Sequence, residues 1–124
     1  MKTINGGVCA AQGFTASGVH CGIRKNKTKR DLALIYSSVP ANAAAVYTTN
    51  LVKGAPLLVT KKHIADGKAQ AVICNSGNAN TCNANGVEIA EQMSELLAKE
   101  LKIKAEDVGA LTEGTMESSK PEQE

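Results

Sequence analysis

The sequence predicts a single α/β domain in which short strands and one long helix share a modest core. Two short apolar runs, at residues 31–36 and 69–75, have the length and composition of strands that are buried on both faces. Residues 87–101 carry apolar side chains at helical spacing. An apolar fraction of 43% in 124 residues fits one globular domain.

The core must rest on small aliphatic side chains, because aromatic residues make up only 2% of the chain. Phe14, Tyr36 and Tyr47 are the three aromatic residues. Aromatic side chains bury the largest areas, so a core almost without them is thin for a free-standing domain. We therefore expect this chain to pack against a further polypeptide.

The first part of the chain predicts a hairpin with a basic connection. Residues 19–25 predict a strand interrupted at Gly22, and residues 31–36 predict the strand that follows. The basic run at 24–30 lies between them, and residues 1–62 hold nine Lys or Arg against one acid. No aromatic side chain interleaves this run, so it has no stacking surface for bases. We interpret it as a solvent-exposed turn and expect no nucleic-acid partner.

The central part predicts two further strands and a short helix. Residues 37–40 should end the preceding strand, because Pro40 lacks an amide hydrogen. Residues 43–49 and 56–60 are predicted as strands, separated by a turn at 53–56. Thr60 is then the predicted N-cap of a helix over 61–66, which Gly67 ends in a left-handed conformation.

The last third predicts a strand, a polar loop and the long helix. The loop Asn75-Ser76-Gly77-Asn78-Ala79-Asn80 is made of residues that tolerate positive φ and bond to nearby backbone. In the helix, one apolar stripe is formed by Ala90, Met93, Leu97 and Leu101, and Asn83 or Asn85 is the N-cap. Residues 112–124 are acidic and poor in apolar side chains, so we expect a disordered tail after a domain at 1–111.

The polar loop is the most specific local feature, and it leaves two interpretations open. A loop between a strand and a helix can present backbone amides to an anion, or it can be purely structural. The loop contains neither Gly-x-Gly-x-x-Gly nor Gly-Lys-Ser/Thr, which excludes the usual dinucleotide and P-loop sites.

The remaining residues do not predict a metal site or a cofactor. His20 and His63 are far apart, and the four cysteines have no Cys-x-x-Cys spacing. We expect reduced thiols and a cytoplasmic protein, because no apolar run has the length of a membrane span or the form of a secretory signal.

Seven short segments in order carry a family resemblance: Gly6-Gly7-Val8, Ala11-Gln12-Gly13-Phe14, Gly22-Ile23-Arg24-Lys25, Asp31-Leu32-Ala33-Leu34-Ile35, Tyr47-Thr48-Thr49-Asn50, Val52-Lys53-Gly54-Ala55-Pro56 and Asn75-Ser76-Gly77-Asn78-Ala79-Asn80. Together they resemble the N-terminal part of the ornithine/glutamate N-acetyltransferase family, over residues 5–108.

The resemblance implies the layered sheet-and-helix fold of the ornithine acetyltransferases and a bifunctional enzyme of arginine biosynthesis. In this family the precursor cuts itself before a Thr, which becomes the N-terminal nucleophile of a second chain. The free α-amino group serves as general base for the hydroxyl of that Thr. Acetyl passes from N-acetylornithine to the Thr and then to glutamate, and some members also use acetyl-CoA.

The sequence departs from the family in its last residues. Nothing here resembles the Lys-Gly-Ser-Gly-Met-Ile and Met-Ala-Thr-Met-Leu region around the cleavage point. The family's Ser-Thr-Gly-Val-Ile-Gly segment, whose Thr-Gly pair stabilises the oxyanion, keeps only Gly114, and Glu113 stands in place of the Thr. A carboxylate there would repel the developing oxyanion.

Gly114 is thus the single candidate catalytic residue that the resemblance assigns to this chain. We expect the chain to be inactive alone and to need the C-terminal half of the enzyme in trans. The alternatives are a small-anion-binding module that uses the loop at 75–80 and a non-functional gene remnant.

Overall fold

The computed structural model describes residues 1–113 and shows the predicted α/β architecture. Its strands are β1 (Phe14–Val19), β2 (Leu32–Asn42), β3 (Lys68–Ser76) and β4 (Val108–Glu113), and its helices are α1 (Ala55–His63) and α2 (Gly86–Leu101). Short 3₁₀ turns lie at Gly7–Ala10, Ile64–Asp66 and Ala105–Asp107.

The four strands form one sheet in the order β1-β2-β3-β4. β1 with β2 and β2 with β3 are antiparallel, whereas β3 and β4 are parallel and are connected through α2. A parallel pair needs such a crossover, and it places the carboxyl ends of its two strands side by side.

The core lies between one face of the sheet and α2. Ala71, Ile73, Val108 and Ala110 from the sheet meet Ala98 of the helix, and the half-buried Met93 and Leu97 pack around them. The predicted stripe therefore faces the core, although the fully buried positions are small: Gly86, Ala90, Ser94 and Ala98. At the start of α2 the approach to α1 is close, because a Cβ on Gly86 would lie 2.8 Å from the Cβ of Ala55.

The opposite face of the sheet carries a second row of apolar side chains. The register aligns Ala16 with Ile35 and Ile35 with Val72. Because successive side chains of a strand point to opposite faces, these three residues share the face opposite the core. Phe14, Ile35 and Val72 are half-buried there and line a shallow cavity with Ala41 and Ala69. Helix α2 packs against the core residues on the other face of the sheet.

The prediction of a strand at 56–60 followed by a helix at 61–66 was wrong, because a single helix spans Ala55–His63. Pro56 occupies the first turn, where its missing amide hydrogen costs nothing. Thr60 is therefore a buried mid-helix residue and not an N-cap. Gly67 has the predicted left-handed conformation, with φ of 74°.

The strand predicted at 43–49 is also absent, and residues 43–54 have no regular structure. A strand needs a paired neighbour, and the pairing of β2 ends where Asn42 meets Lys68. The predicted break at 37–40 was wrong as well, since β2 continues to Asn42. A register shift between Tyr36 and Ala41 accommodates Pro40.

The first and last strands also differ from the sequence prediction. The first strand lies at Phe14–Val19 and not at 19–25, because residues 20–30 form an irregular connection. At the other end, Thr112 and Glu113 belong to β4 through backbone pairing with Asn75 and Ser76. The rest of the predicted tail lies outside the described residues.

The long helix α2 begins one residue before the predicted start and ends where predicted, at Leu101. Asn85 holds the N-cap position, as one of the two predicted alternatives, but its side chain makes no capping hydrogen bond. Within residues 1–113, no helix has the length and apolar character needed to cross a membrane.

Candidate functional site

The carboxyl ends of β3 and β4 bring together the two places that the sequence singled out. Ser76, the last residue of β3 and part of the polar loop, pairs with Glu113 at the end of β4. The candidate residue Gly114 follows Glu113 directly and lies outside the described residues. Ligands of α/β sheets commonly bind beyond the carboxyl ends of parallel strands, so this end of the sheet is the candidate site.

The asparagines of the loop bond chiefly to one another. The buried Asn75 donates from Nδ2 to the carbonyl of Asn78 over 3.1 Å, and its Oδ1 accepts from Nδ2 of Asn80 over 2.8 Å. The amide N–H of Asn80 donates to Oδ1 of Asn78 over 3.1 Å. These bonds favour the structural interpretation of the Asn side chains over their use as anion ligands.

The same loop positions the beginnings of both helices. The carbonyl of Asn80 accepts from the amide of Ala55, the first residue of α1, over 3.0 Å. Gly86, the first residue of α2, packs against the Ala55 side chain. The loop thus fixes β3, α1 and α2 relative to one another at the candidate site.

Asp31 ties the hairpin connection to this end of the sheet, a role that the sequence analysis missed. Its buried carboxylate accepts the backbone N–H groups of Cys21 over 2.7 Å and Arg24 over 2.9 Å. His20 Nδ1 lies 3.2 Å from the carboxylate. The carbonyl of Asp31 accepts from the amide of Ser76 over 2.9 Å. The sequence feature that could have pointed to this role is that Asp31 is the one acidic residue among residues 1–62.

The pKa of Asp31 is held far below its ordinary value. The N–H of Arg24 contributes most, the N–H of Cys21 and the nearby His20 add to it, and desolvation opposes them. Hydrogen bonds to a carboxylate favour its charged form. Partial desolvation of the Cys21 thiol and its contact with the Asp31 carboxylate raise the pKa of that thiol.

Arg24 lies over the turn at Gly77. A Cβ on Gly77 would come within 2.6 Å of Cγ of Arg24, and Gly77 has φ of +94°. The Nε of Arg24 is buried and has no hydrogen-bond partner among residues 1–113. The interpretation of residues 24–30 as a solvent-exposed turn is therefore wrong for Arg24, whose side chain turns inward; Lys25, Lys27, Lys29 and Arg30 are exposed.

The histidines and cysteines have other surroundings. His63 is buried and bonds through Nδ1 to the carbonyl of Val108 over 2.9 Å, whereas Nδ1 of His20 lies 3.2 Å from Asp31, near the carboxyl end of β3. No disulfide links any two of Cys9, Cys21, Cys74 and Cys82, which all lie among the described residues. In the part of the chain that the structure describes, no three His, Cys, Asp or Glu side chains come together as metal ligands would.

Comparison with known proteins decides the family. The sequence model of the ArgJ family matches residues 15–123. The chain belongs to the ArgJ family. It is 44% identical over 117 residues to the arginine biosynthesis bifunctional protein ArgJ of Caldanaerobacter subterraneus and 41% identical over 123 residues to that of Shouchella clausii. The resemblance inferred from the seven segments is confirmed.

Solved ArgJ structures share the fold. The crystal structure of ArgJ from Bacillus halodurans has a TM-score of 0.84 at 41% identity, over 94% of this chain and 61% of the solved one. Ornithine acetyltransferase from Mycobacterium tuberculosis, complexed with ornithine, has a TM-score of 0.81 at 36% identity, over 92% and 62%. The predicted fold of the ornithine acetyltransferase type is confirmed.

The chain matches the N-terminal portion of ArgJ proteins. It spans 28% of the Caldanaerobacter protein and 30% of the Shouchella protein. The same chain covers 61% and 62% of the two solved chains, which are therefore less than half as long as the curated relatives.

Proposed function

We propose that this chain forms the N-terminal part of a cytoplasmic glutamate N-acetyltransferase and ornithine acetyltransferase of arginine biosynthesis. The observation that carries the proposal is the TM-score of 0.81, at 36% identity over 92% of the chain, with an ornithine acetyltransferase complexed with ornithine. The names of the curated relatives, as bifunctional proteins of arginine biosynthesis, support the same activity.

Under this proposal the chain supplies a wall of the active site and not the nucleophile. The acetyl-carrying Thr comes from the remaining polypeptide, and N-acetylornithine and glutamate are the substrates, with acetyl-CoA as a further donor in some members. Gly114 stays the oxyanion-hole candidate of this chain. Its support is the pairing of Ser76 with Glu113, which puts the chain just before Gly114 beside the loop at 75–80.

The partner we propose is the C-terminal portion of the enzyme, supplied as a separate polypeptide. The solved chains, less than half as long as the curated relatives, fit a family in which the precursor is divided. The apolar row with Phe14, Ile35 and Val72 would gain cover from such a partner. So would the segment at 43–54, where Val46 and Leu51 are 97% and 98% exposed.

Co-expression tests this proposal. The chain is produced with the C-terminal portion of the Shouchella clausii protein, and transfer of acetyl from N-acetylornithine to glutamate is followed by mass spectrometry. We expect the two polypeptides to co-purify and to turn over substrate, while the chain alone is inactive because the nucleophile contributes most of the catalysis. The matched control is the same complex with the nucleophilic Thr of the partner replaced by Ala.

Two outcomes would contradict different parts of the proposal. If the complex forms but transfers acetyl no faster than the Thr-to-Ala control, the catalytic assignment is ruled out. If the two polypeptides do not associate, or if the chain transfers acetyl without its partner, the enzyme is not divided between two polypeptides as proposed.

A further inference from the structure

We propose that Arg24 binds a small carboxylate at the carboxyl end of β3. The starting observation is that its Nε is buried and has no hydrogen-bond partner among residues 1–113. Within the same residues its side chain makes no salt bridge either; the ion pairs there are His20–Asp31 and Lys62–Glu91. A donor that has lost its water without gaining an acceptor is costly, and an anion would remove that cost.

The position of Arg24 is fixed by contacts on both sides. Its backbone N–H is held by the Asp31 carboxylate at 2.9 Å, and its Cγ lies against Gly77. With φ of +94°, Gly77 has a conformation that L side chains rarely adopt, and any Cβ there would collide with the Arg24 stem. The turn and the arginine stem are therefore matched to one another, and the stem lies against the turn before any ligand arrives.

The local charge favours an anion. Arg24 shares its connection with the exposed Lys25, Lys27, Lys29 and Arg30. Asp31, the one acid in residues 1–62, directs its carboxylate oxygens to the backbone N–H groups of Cys21 and Arg24 and makes no salt bridge with the Arg24 guanidinium. The planar fork of a guanidinium fits two carboxylate oxygens better than it fits a single acceptor.

The location selects the class of ligand. Gly77 directly follows Ser76, which pairs with Glu113 at the candidate site. If the proposed function holds, the carboxylate is that of an amino-acid substrate, because both N-acetylornithine and glutamate carry one. The inference rests on the proposed function for that identity, while binding of a carboxylate at Arg24 can be measured without turnover.

Nuclear magnetic resonance of the ¹⁵N-labelled chain tests the binding directly, because the Nε–H group of a protected arginine gives its own signal. The probes are N-acetylglutamate, its neutral diamide and sulfate, each titrated at constant ionic strength. We expect the Arg24 Nε–H signal and the Gly77 amide signal to shift in a saturable way with N-acetylglutamate and not with the diamide. Saturation by sulfate and not by N-acetylglutamate would overturn the carboxylate assignment.

The variant Arg24→Lys keeps the positive charge and the aliphatic stem over Gly77 but removes the fork. It should weaken N-acetylglutamate binding about tenfold or more, as loss of a charge-assisted hydrogen bond does. The matched control is Arg30→Lys, on the same connection, whose Cδ packs near Gly18 of β1. Equal weakening in both variants, or no saturable shift in the unaltered chain, would overturn the inference.

The two proposals can fail separately. Carboxylate binding at Arg24 together with an inactive complex would leave this inference standing and remove the proposed function. If the complex is active and its KM for both substrates is the same in Arg24→Lys and in the unaltered chain, the proposed function stands and this inference is overturned.

Discussion

The Thr60 hydroxyl forms two hydrogen bonds with the backbone of Ala110. Oγ1 donates to the carbonyl of Ala110 over 2.7 Å and accepts from its N–H over 3.0 Å. One turn of α1 later, His63 bonds to the carbonyl of Val108 over 2.9 Å. Because β4 is at the edge of the sheet, these side chains satisfy backbone groups that would otherwise need a further strand.

Replacing Thr60 by Val should lower the free energy of unfolding by about 2–3 kcal/mol, because Val has the same shape but leaves two buried backbone groups without a partner. The control Thr60→Ser keeps the hydroxyl and loses one methyl group, at a cost of about 1 kcal/mol. Urea denaturation of the three proteins measures both values. A Val variant as stable as the unaltered chain would show that the two bonds contribute nothing.

The contribution of Asp31 to stability should depend on pH in a defined direction. Its pKa in the folded chain lies below the ordinary value, so the stabilisation is complete above about pH 4 and is lost as the pH falls further. Asp31→Asn should therefore have a lower urea midpoint than the unaltered chain at pH 7. The gap should narrow steadily from pH 4 to pH 2. A gap that stays constant across this range would mean that folding does not lower the pKa of Asp31.

Gly77 and Gly22 form a matched pair for testing the contact with Arg24. Their φ values are +94° and +92°, but a Cβ on Gly22 would meet nothing within 4 Å. Gly22→Ala should cost about 1–2 kcal/mol from backbone strain alone, and Gly77→Ala should cost more because of the added collision. Combining Gly77→Ala with Arg24→Ala should recover that excess, as measured by a double-mutant cycle in urea. Equal costs at Gly77 and Gly22 would contradict the contact.

Truncation locates the end of the folded part of the chain. A chain that ends at Leu111 loses the pairing of Thr112 with Asn75 and of Glu113 with Ser76, so it should melt at a lower temperature than one that ends at Glu113. From composition, we expect the chain that ends at Glu113 to melt like the full chain. Thermal melting of the three lengths, followed by circular dichroism, makes the comparison. Identical melting of both truncated chains would place the boundary before Thr112.

The elements that were predicted correctly are those whose apolar pattern lies entirely within their own residues. The long helix and the strand before the polar loop were found because residues 87–101 and 69–75 each carry a full apolar pattern. Helix α1 was missed because Pro56-Leu57-Leu58-Val59-Thr60 has the composition of a strand. Its helical form is favoured by Pro56 in the first turn and by bonds from Thr60 and His63 to β4, which local sequence does not contain.

The residues of the candidate site likewise fall into those that local sequence predicted and those that depend on contacts far along the chain. The loop at 75–80 was recognised from its own composition, and its position next to the end of β4 followed only from the parallel pairing with Glu113. Arg24 and Asp31 were missed because what distinguishes them is contact with Gly77 and Ser76, far along the chain. A basic run read alone has the composition of an ordinary exposed turn.

The cover that α1 gives to β4 also limits how copies of this chain can assemble. Because α1 covers the edge of the sheet at β4, the edge at β1 is the one that residues 1–113 leave open to backbone pairing between copies. Two copies can pair through that edge once, and the resulting eight-stranded sheet has helices at both ends. Continuous fibres need two free sheet edges on every molecule, so strand addition through residues 1–113 favours closed pairs over fibres.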